Sequence, residues 1–118
     1  MLEICAIASG SNGNCYYIGN NEDAILVDAG ISGKQIINRM TEMGLDPLKI
    51  KAVFITHEHG DHMRGARGVN KKLQVPVYIT TKTYNGAYKN MRPDYPKFFT
   101  PNETIKIGSF SIFPVFRK

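Results

Sequence analysis

The chain has 118 residues, 42% of them hydrophobic, which suits one soluble globular unit with a modest core and leaves no room for a second domain. Its apolar runs, such as Ile4-Cys5-Ala6-Ile7-Ala8, fall far short of the roughly 18 residues a membrane span needs, so no bilayer crossing is expected. A formal charge of +5 favours an anionic partner.

In chain order, residues 2–8 and 15–18 read as strands joined by the tight loop Ser9-Gly10-Ser11-Asn12-Gly13-Asn14. After the polar turn Asn20-Asn21-Glu22-Asp23, residues 24–27 form a third strand that ends in Asp28-Ala29-Gly30. Ser32 is a plausible N-cap for a helix whose apolar positions Ile36, Ile37, Met40 and Met43 recur at helical spacing until Gly44 stops it. A turn at Asp46-Pro47 precedes a strand over residues 52–55, which leads directly into a histidine cluster. Residues 63–73 read as a helix, 75–80 as a strand and 81–91 as a helix weakened by Gly86. Residues 104–107 and 110–113 flank Gly108-Ser109 as a β-hairpin. Strands alternating with helices predict an α/β (α+β) fold.

Cys5 and Cys15 both fall in strands and are expected as free thiols in a reducing, cytoplasmic setting. The start of the chain lacks the basic leader and apolar segment of a secretory signal, which fits the same compartment. Lys and Arg accumulate in the second half, with Tyr84, Tyr88 and Tyr95 among them. That mixture suits a nucleic-acid backbone with stacked bases, although lysines on a solvated helix face over a buried tyrosine stripe give the same pattern.

All three histidines lie in the run Thr56-His57-Glu58-His59-Gly60-Asp61-His62. His57 and His59, two apart at a strand end, project to one side and can converge on one ion. Gly60 lets the backbone turn, and Asp61 and His62 then reach a second ion close by. Imidazole nitrogen with carboxylate oxygen suits zinc and also accepts manganese or iron. Two divalent ions would lower the pKa of a shared water and polarise a substrate oxygen, so hydrolysis is the expected chemistry. The competing reading is an exposed polar loop with adventitious metal affinity.

The run His57-Glu58-His59-Gly60-Asp61-His62 resembles the His-x-His-x-Asp-His hallmark of the metallo-β-lactamase fold superfamily. Asp28, in Leu26-Val27-Asp28-Ala29-Gly30, matches that family's early strand-end Asp, which implies support of the metal loop; a turn carboxylate is the alternative. The opening Ser9-Gly10-Ser11-Asn12-Gly13-Asn14-Cys15-Tyr16 and the His run together look most like the YycJ-like (WalJ) exonuclease branch. The resemblance implies His57, His59, Asp61 and His62 as metal ligands, with Asp61 also the candidate catalytic residue. Ser11, Asn12 and Asn14 are candidate substrate contacts, because a Gly/Asn-rich loop can offer backbone N–H groups to a phosphate, as it can also form a plain turn.

One departure qualifies the resemblance. The family is an αββα sandwich of two similar halves that takes a further His, a bridging Asp and a last His from later in the chain. No histidine follows His62, and the sequence stops at Phe113-Pro114-Val115-Phe116-Arg117-Lys118. The expectation is therefore the N-terminal half of such a domain, inactive by itself, with an apolar face that could self-associate. For the intact enzyme the resemblance implies 5′-to-3′ DNA exonuclease activity. A small-molecule hydrolase acting on a cyclic phosphodiester, thioester or lactam, and a non-catalytic nucleic-acid-binding module, are the alternatives.

Overall fold

A computed structural model describes residues 2–57 and 59–115. Glu58 of the histidine run and residues 116–118 of the apolar tail lie outside the described residues. Six strands, β1 (Glu3–Ala8), β2 (Cys15–Gly19), β3 (Ala24–Val27), β4 (Ile50–Phe54), β5 (Val77–Ile79) and β6 (Pro96–Phe98), form one sheet in that spatial order. β1, β2 and β3 pair antiparallel and β3 through β6 pair parallel, so the sheet is mixed. Strands β7 (Ile105–Ile107) and β8 (Phe110–Ile112) make the expected separate hairpin, turning at Gly108 with φ 54°.

Alternation along each strand sends side chains to two different cores. On one face Leu26, Val53, Val77 and Ile79 pack with Ile36 and Met40 of α1 (Gly33–Glu42) and with Val69 of α3 (Ala66–Leu73). On the other face Ile25, Ala52 and Phe54 meet Ile107, with Phe110 and Ile112 of the hairpin packed against them. Phe54 stacks on Tyr78 at 4.8 Å between ring centroids. Ser32 caps α1 as expected, its hydroxyl accepting the Gln35 N–H at 3.2 Å. The hairpin does not reach β1, where Ile4 is 67% exposed. Cys5 is half-buried, Cys15 is buried, and both are free.

Three elements differ from expectation. The helix predicted over residues 63–73 is two, α2 (Gly60–Met63) and α3, separated at Gly65. The Gly65 N–H donates to the Ala29 carbonyl at 2.6 Å, and a Cβ there would lie 1.9 Å from the Ile31 carbonyl oxygen, so the chain breaks its helix to dock on the strand-end loop. The helix predicted over 81–91 stops after one short segment, α4 (Thr81–Gly86), because Ala87 turns extended at ψ 151°; a 3₁₀ turn follows at Lys89–Met91. Strand β6 was not anticipated: Pro-Lys-Phe shows no alternation, and it lies at the sheet edge, where a proline's missing N–H costs no ladder bond.

Candidate metal centre

The parallel strands β3 and β4 end side by side, and the polar residues that follow them meet there, at the carboxyl ends where open α/β sheets place their ligands. Asp28 follows β3 with φ 66°, a left-handed conformation that Asp tolerates better than most residues. Its N–H donates to the Phe54 carbonyl at 2.7 Å, tying the two strand ends together. The side chain is almost fully buried, yet both oxygens have partners. Oδ1 accepts the Thr56 N–H at 2.8 Å, and the Thr56 hydroxyl lies 2.9 Å from Oδ1 and 2.7 Å from Oδ2. Nδ1 of His62 lies 2.8 Å from Oδ2.

These contacts fix the proton positions on two imidazoles. The Thr56 hydroxyl has one hydrogen, and it donates this to the Asp28 carboxylate. Nδ1 of His57, 2.8 Å from the same hydroxyl oxygen, is then the donor in that contact. Nδ1 of His62 donates to Asp28 by the same reasoning. With Nδ1 committed to these contacts, Nε2 is the ring nitrogen left for a further partner on each imidazole, and the two rings lie 4.5 Å apart between centroids. Oδ2 of Asp61 stands 3.6 Å from Nε2 of His62. A proton on Nε2 or a cation between the two atoms satisfies this contact, and imidazole nitrogens with a carboxylate oxygen are the donor set of a divalent transition metal.

Among the described residues, Asp28, His57 and His62 bring one potential ligand atom each to within 4.8 Å of one another, a group that could hold a metal ion. Asp28 is the member whose oxygens are already hydrogen-bonded. His59 lies outside this group, exposed at the N-cap of α2, where its carbonyl accepts the His62 N–H at 2.9 Å.

The loop carrying Asp61 and His62 is held by backbone bonds to two other segments. The Asn14 N–H donates to the Asp61 carbonyl at 2.7 Å, and the Gly30 N–H donates to the Asn14 carbonyl at 2.8 Å. The Ala29 N–H donates to the His62 carbonyl at 2.7 Å. A Cβ on Gly30 would lie 1.9 Å from the Asp61 carbonyl oxygen, so glycine alone fits between these strands of backbone. The Asn14 side chain donates to the carbonyls of Gly10 and Asp61 at 3.1 and 3.3 Å, contacts within the protein. Ser11 and Asn12 are exposed at the loop tip. Sequence reasoning did not single out Thr56, although it stands directly before His57, nor the gripping role of Asn14 and Gly30, which rests on backbone contacts between distant segments.

Cys15, beside this centre, is pushed up to about 12 by burial first and by the Asp28 charge second, with Arg39 opposing. It stays a protonated thiol.

The family model described as Metallo-beta-lactamase superfamily matches residues 8–110. The chain belongs to that superfamily. An exodeoxyribonuclease YycJ of Bacillus anthracis is 39% identical over 114 residues, covering 94% of this chain and 43% of its own. An exodeoxyribonuclease WalJ of Streptococcus pneumoniae is 40% identical over 78 residues, covering 66% of this chain and 29% of its own. The chain thus spans less than half the length of these curated relatives. Among solved structures, the subclass B3 metallo-beta-lactamase BJP-1 of Bradyrhizobium japonicum superposes with a TM-score of 0.70 at 19% identity, over 92% of this chain and 46% of that one. At that identity the likeness speaks for the fold, and it bears out the metallo-β-lactamase type expected from the histidine run.

Proposed function

We propose that this member of a metallohydrolase superfamily hydrolyses phosphodiesters, acting in its full-length form as a 5′-to-3′ DNA exonuclease. The observation that carries the reading is the pair of imidazoles His57 and His62, 4.5 Å apart, whose Nδ1 atoms are committed to hydrogen bonds and whose Nε2 atoms remain for a metal, that of His62 beside the Asp61 carboxylate. The exodeoxyribonuclease names of the two relatives support the substrate class.

His57, His59, Asp61 and His62 would hold two divalent ions, zinc by preference and manganese or iron as substitutes, which when bound supply Lewis acidity towards water and a phosphate oxygen. Asp28 orients the site: it fixes His62 directly and His57 through Thr56, so that both rings keep one tautomer. Asp61, its backbone gripped by Asn14, holds its carboxylate where it can accept a proton from an attacking water. Four donors for two ions fall short of the three or more that each zinc ordinarily takes. Further ligands from outside these residues therefore belong to the reading, and residues 1–118 by themselves are expected to turn over poorly. Free Cys5 and Cys15 fit a cytoplasmic setting, and no described helix is long and apolar enough to cross a membrane.

The test supplies zinc or manganese to the full-length protein and follows DNA labelled at either end, beside a thioester and a lactam. Loss of nucleotides from the 5′ end that disappears in His57→Ala/His59→Ala supports the proposal. Undiminished turnover in that double variant, or a preference for the thioester or lactam, overturns it.

A further inference from the structure

A row of cations begins at the metal loop and is not used by the centre itself. Arg67 and Lys71, four residues apart, share one side of α3, away from buried Ala66 and Val69, and Arg64 is exposed at the C-cap of α2 just before it. The row starts close to the chemistry: a methyl group on Gly60 would sit 3.5 Å from Nη2 of Arg64 and 3.7 Å from Sδ of Met91. The second contact brings residues 87–95 alongside, and these add Lys89 and Arg92. Arg92 is held in place, donating through Nε to the Ala87 carbonyl at 3.2 Å and through Nη2 to the Asn85 carbonyl at 3.1 Å, with its guanidinium 4.9 Å from the Tyr84 ring centre. Asp94 joins the two segments, 3.1 Å from Arg67 and 3.9 Å from Lys71.

Between them lies an open depression of about 280 Å³ lined by Arg67, Tyr84, Lys89, Arg92, Pro93 and Asp94. Three cations, Arg67, Lys89 and Arg92, thus share this shallow groove with one carboxylate, and Arg64 stands beside Gly60 of the metal loop. Tyr88, 77% exposed next to Lys89, offers an aromatic face beside the charges. Fixed guanidinium groups, mobile ammonium groups and an exposed ring are the combination that follows a single nucleic-acid strand, cations on successive phosphates and the ring on a base.

We infer that Arg64, Arg67, Lys89 and Arg92 form a track that guides a single DNA strand by its phosphates to the metal loop, an inference that rests on the phosphodiester reading above and deepens it. Arg67 and Arg92 form its floor, and the exposed Arg64 and Lys89 flank it.

Binding is measured by anisotropy of a labelled single-stranded oligonucleotide in the presence of a chelator, across a range of salt, so that neither metal nor hydrolysis contributes. Arg64→Gln/Lys89→Gln, two exposed positions whose side chains bear no folding contact described above, should weaken binding about tenfold and reduce the salt slope by about 1.4. Lys51→Gln/Lys106→Gln removes the same charge from β4 and the β7–β8 hairpin, Lys51 acting on Asp23 at the start of β3, and should leave affinity within about twofold of the parent. Equal affinities and slopes for the two double variants overturn the track, as does a parent protein that does not bind the strand. Hydrolysis of bis(p-nitrophenyl) phosphate by the full-length protein with added zinc reads the catalytic proposal separately. Ester hydrolysis with equal double variants sinks the track alone. The predicted binding pattern without any ester hydrolysis keeps the track and sinks the catalytic proposal.

Discussion

Asp23 and Asp28 bracket β3, one residue before the strand and one after, and both are largely buried, at 9% and 4% exposure. Asp23 accepts the backbone N–H and the hydroxyl of Ser109 at 2.8 and 2.7 Å, fastening the turn of the β7–β8 hairpin to the sheet. Asp28 takes the same kinds of bond from Thr56, but its remaining partner is an imidazole that has a second nitrogen to offer. The same side chain at the two ends of one strand therefore yields a clasp at one end and an oriented pair of imidazoles at the other. The distinction comes from the partners: those of Asp23 close back on the same turn through Asn20, and those of Asp28 extend the network to imidazoles with a second nitrogen to offer.

The sharpest way to break the Asp28 end leaves Asp28 alone. In Gly30→Ala the new Cβ would meet the Asp61 carbonyl oxygen at 1.9 Å and the Asn14 nitrogen at 2.4 Å, both backbone atoms. The loop must move as a whole, so a loss of about 3 kcal/mol or more is expected, with loss of zinc binding. Thermal unfolding and zinc titration check this together; an unchanged Tm with full zinc uptake would show that the loop yields freely.

Asp28→Asn separates hydrogen bonding from backbone shape, since Asn accepts the φ of 66° as readily as Asp. The amide can no longer take all the donors now directed at the carboxylate, and the His62 tautomer loses its anchor. Zinc affinity should fall by about 10–100-fold while the circular dichroism spectrum is retained. Calorimetric titration giving parental affinity would remove Asp28 from the site.

Asp23→Asn should do the reverse, sparing zinc affinity and changing the response to acid. Hydrogen bonds from Ser109, the hydroxyl first and the backbone N–H second, hold the Asp23 carboxyl below its usual range, with Lys51 and Lys49 adding to the effect. A folded pKa below the unfolded value of about 3.9 means that the stabilisation is present above that value. It is lost as pH falls through the lower folded value. The variant should therefore show a flatter decline in Tm below about pH 4 than the parent. Parallel declines would mean that other carboxylates govern acid unfolding.

The two ends were not equally legible in the sequence. β3 stands at residues 24–27 as expected, since four apolar residues between polar turns leave little choice. That His57, Asp61 and His62 gather at one place was legible because residue type and spacing carry it. What holds these side chains was not. Asn14 reads as a loop residue open to substrate, yet its amide and N–H both serve the Asp61 carbonyl, 47 positions away. The roles of Gly30 and Gly65 depend on which backbone lies opposite, and no local propensity encodes that. β6 escaped notice because an edge strand of three residues needs no alternation. Asp23 read as a turn residue, and its clasp on Ser109 required the hairpin to be placed first.

The smallest expected effect uses Cys15 as a reporter of the Asp28 end. With its pKa near 12, only about one part in ten thousand of the thiol is ionised at pH 8, and burial shields it further. A thiol reagent should label half-buried Cys5 first and reach Cys15 on unfolding. Because the Asp28 charge is one cause of the raised pKa, Asp28→Asn should lower it and quicken Cys15 labelling modestly in the folded protein, with Cys5 unaffected. Asp23 is not among the charges acting on Cys15, so Asp23→Asn should leave both rates as they are. Equal acceleration of both cysteines in Asp28→Asn would indicate global loosening instead, and would assign the zinc loss in that variant to unfolding rather than to a misdirected His62.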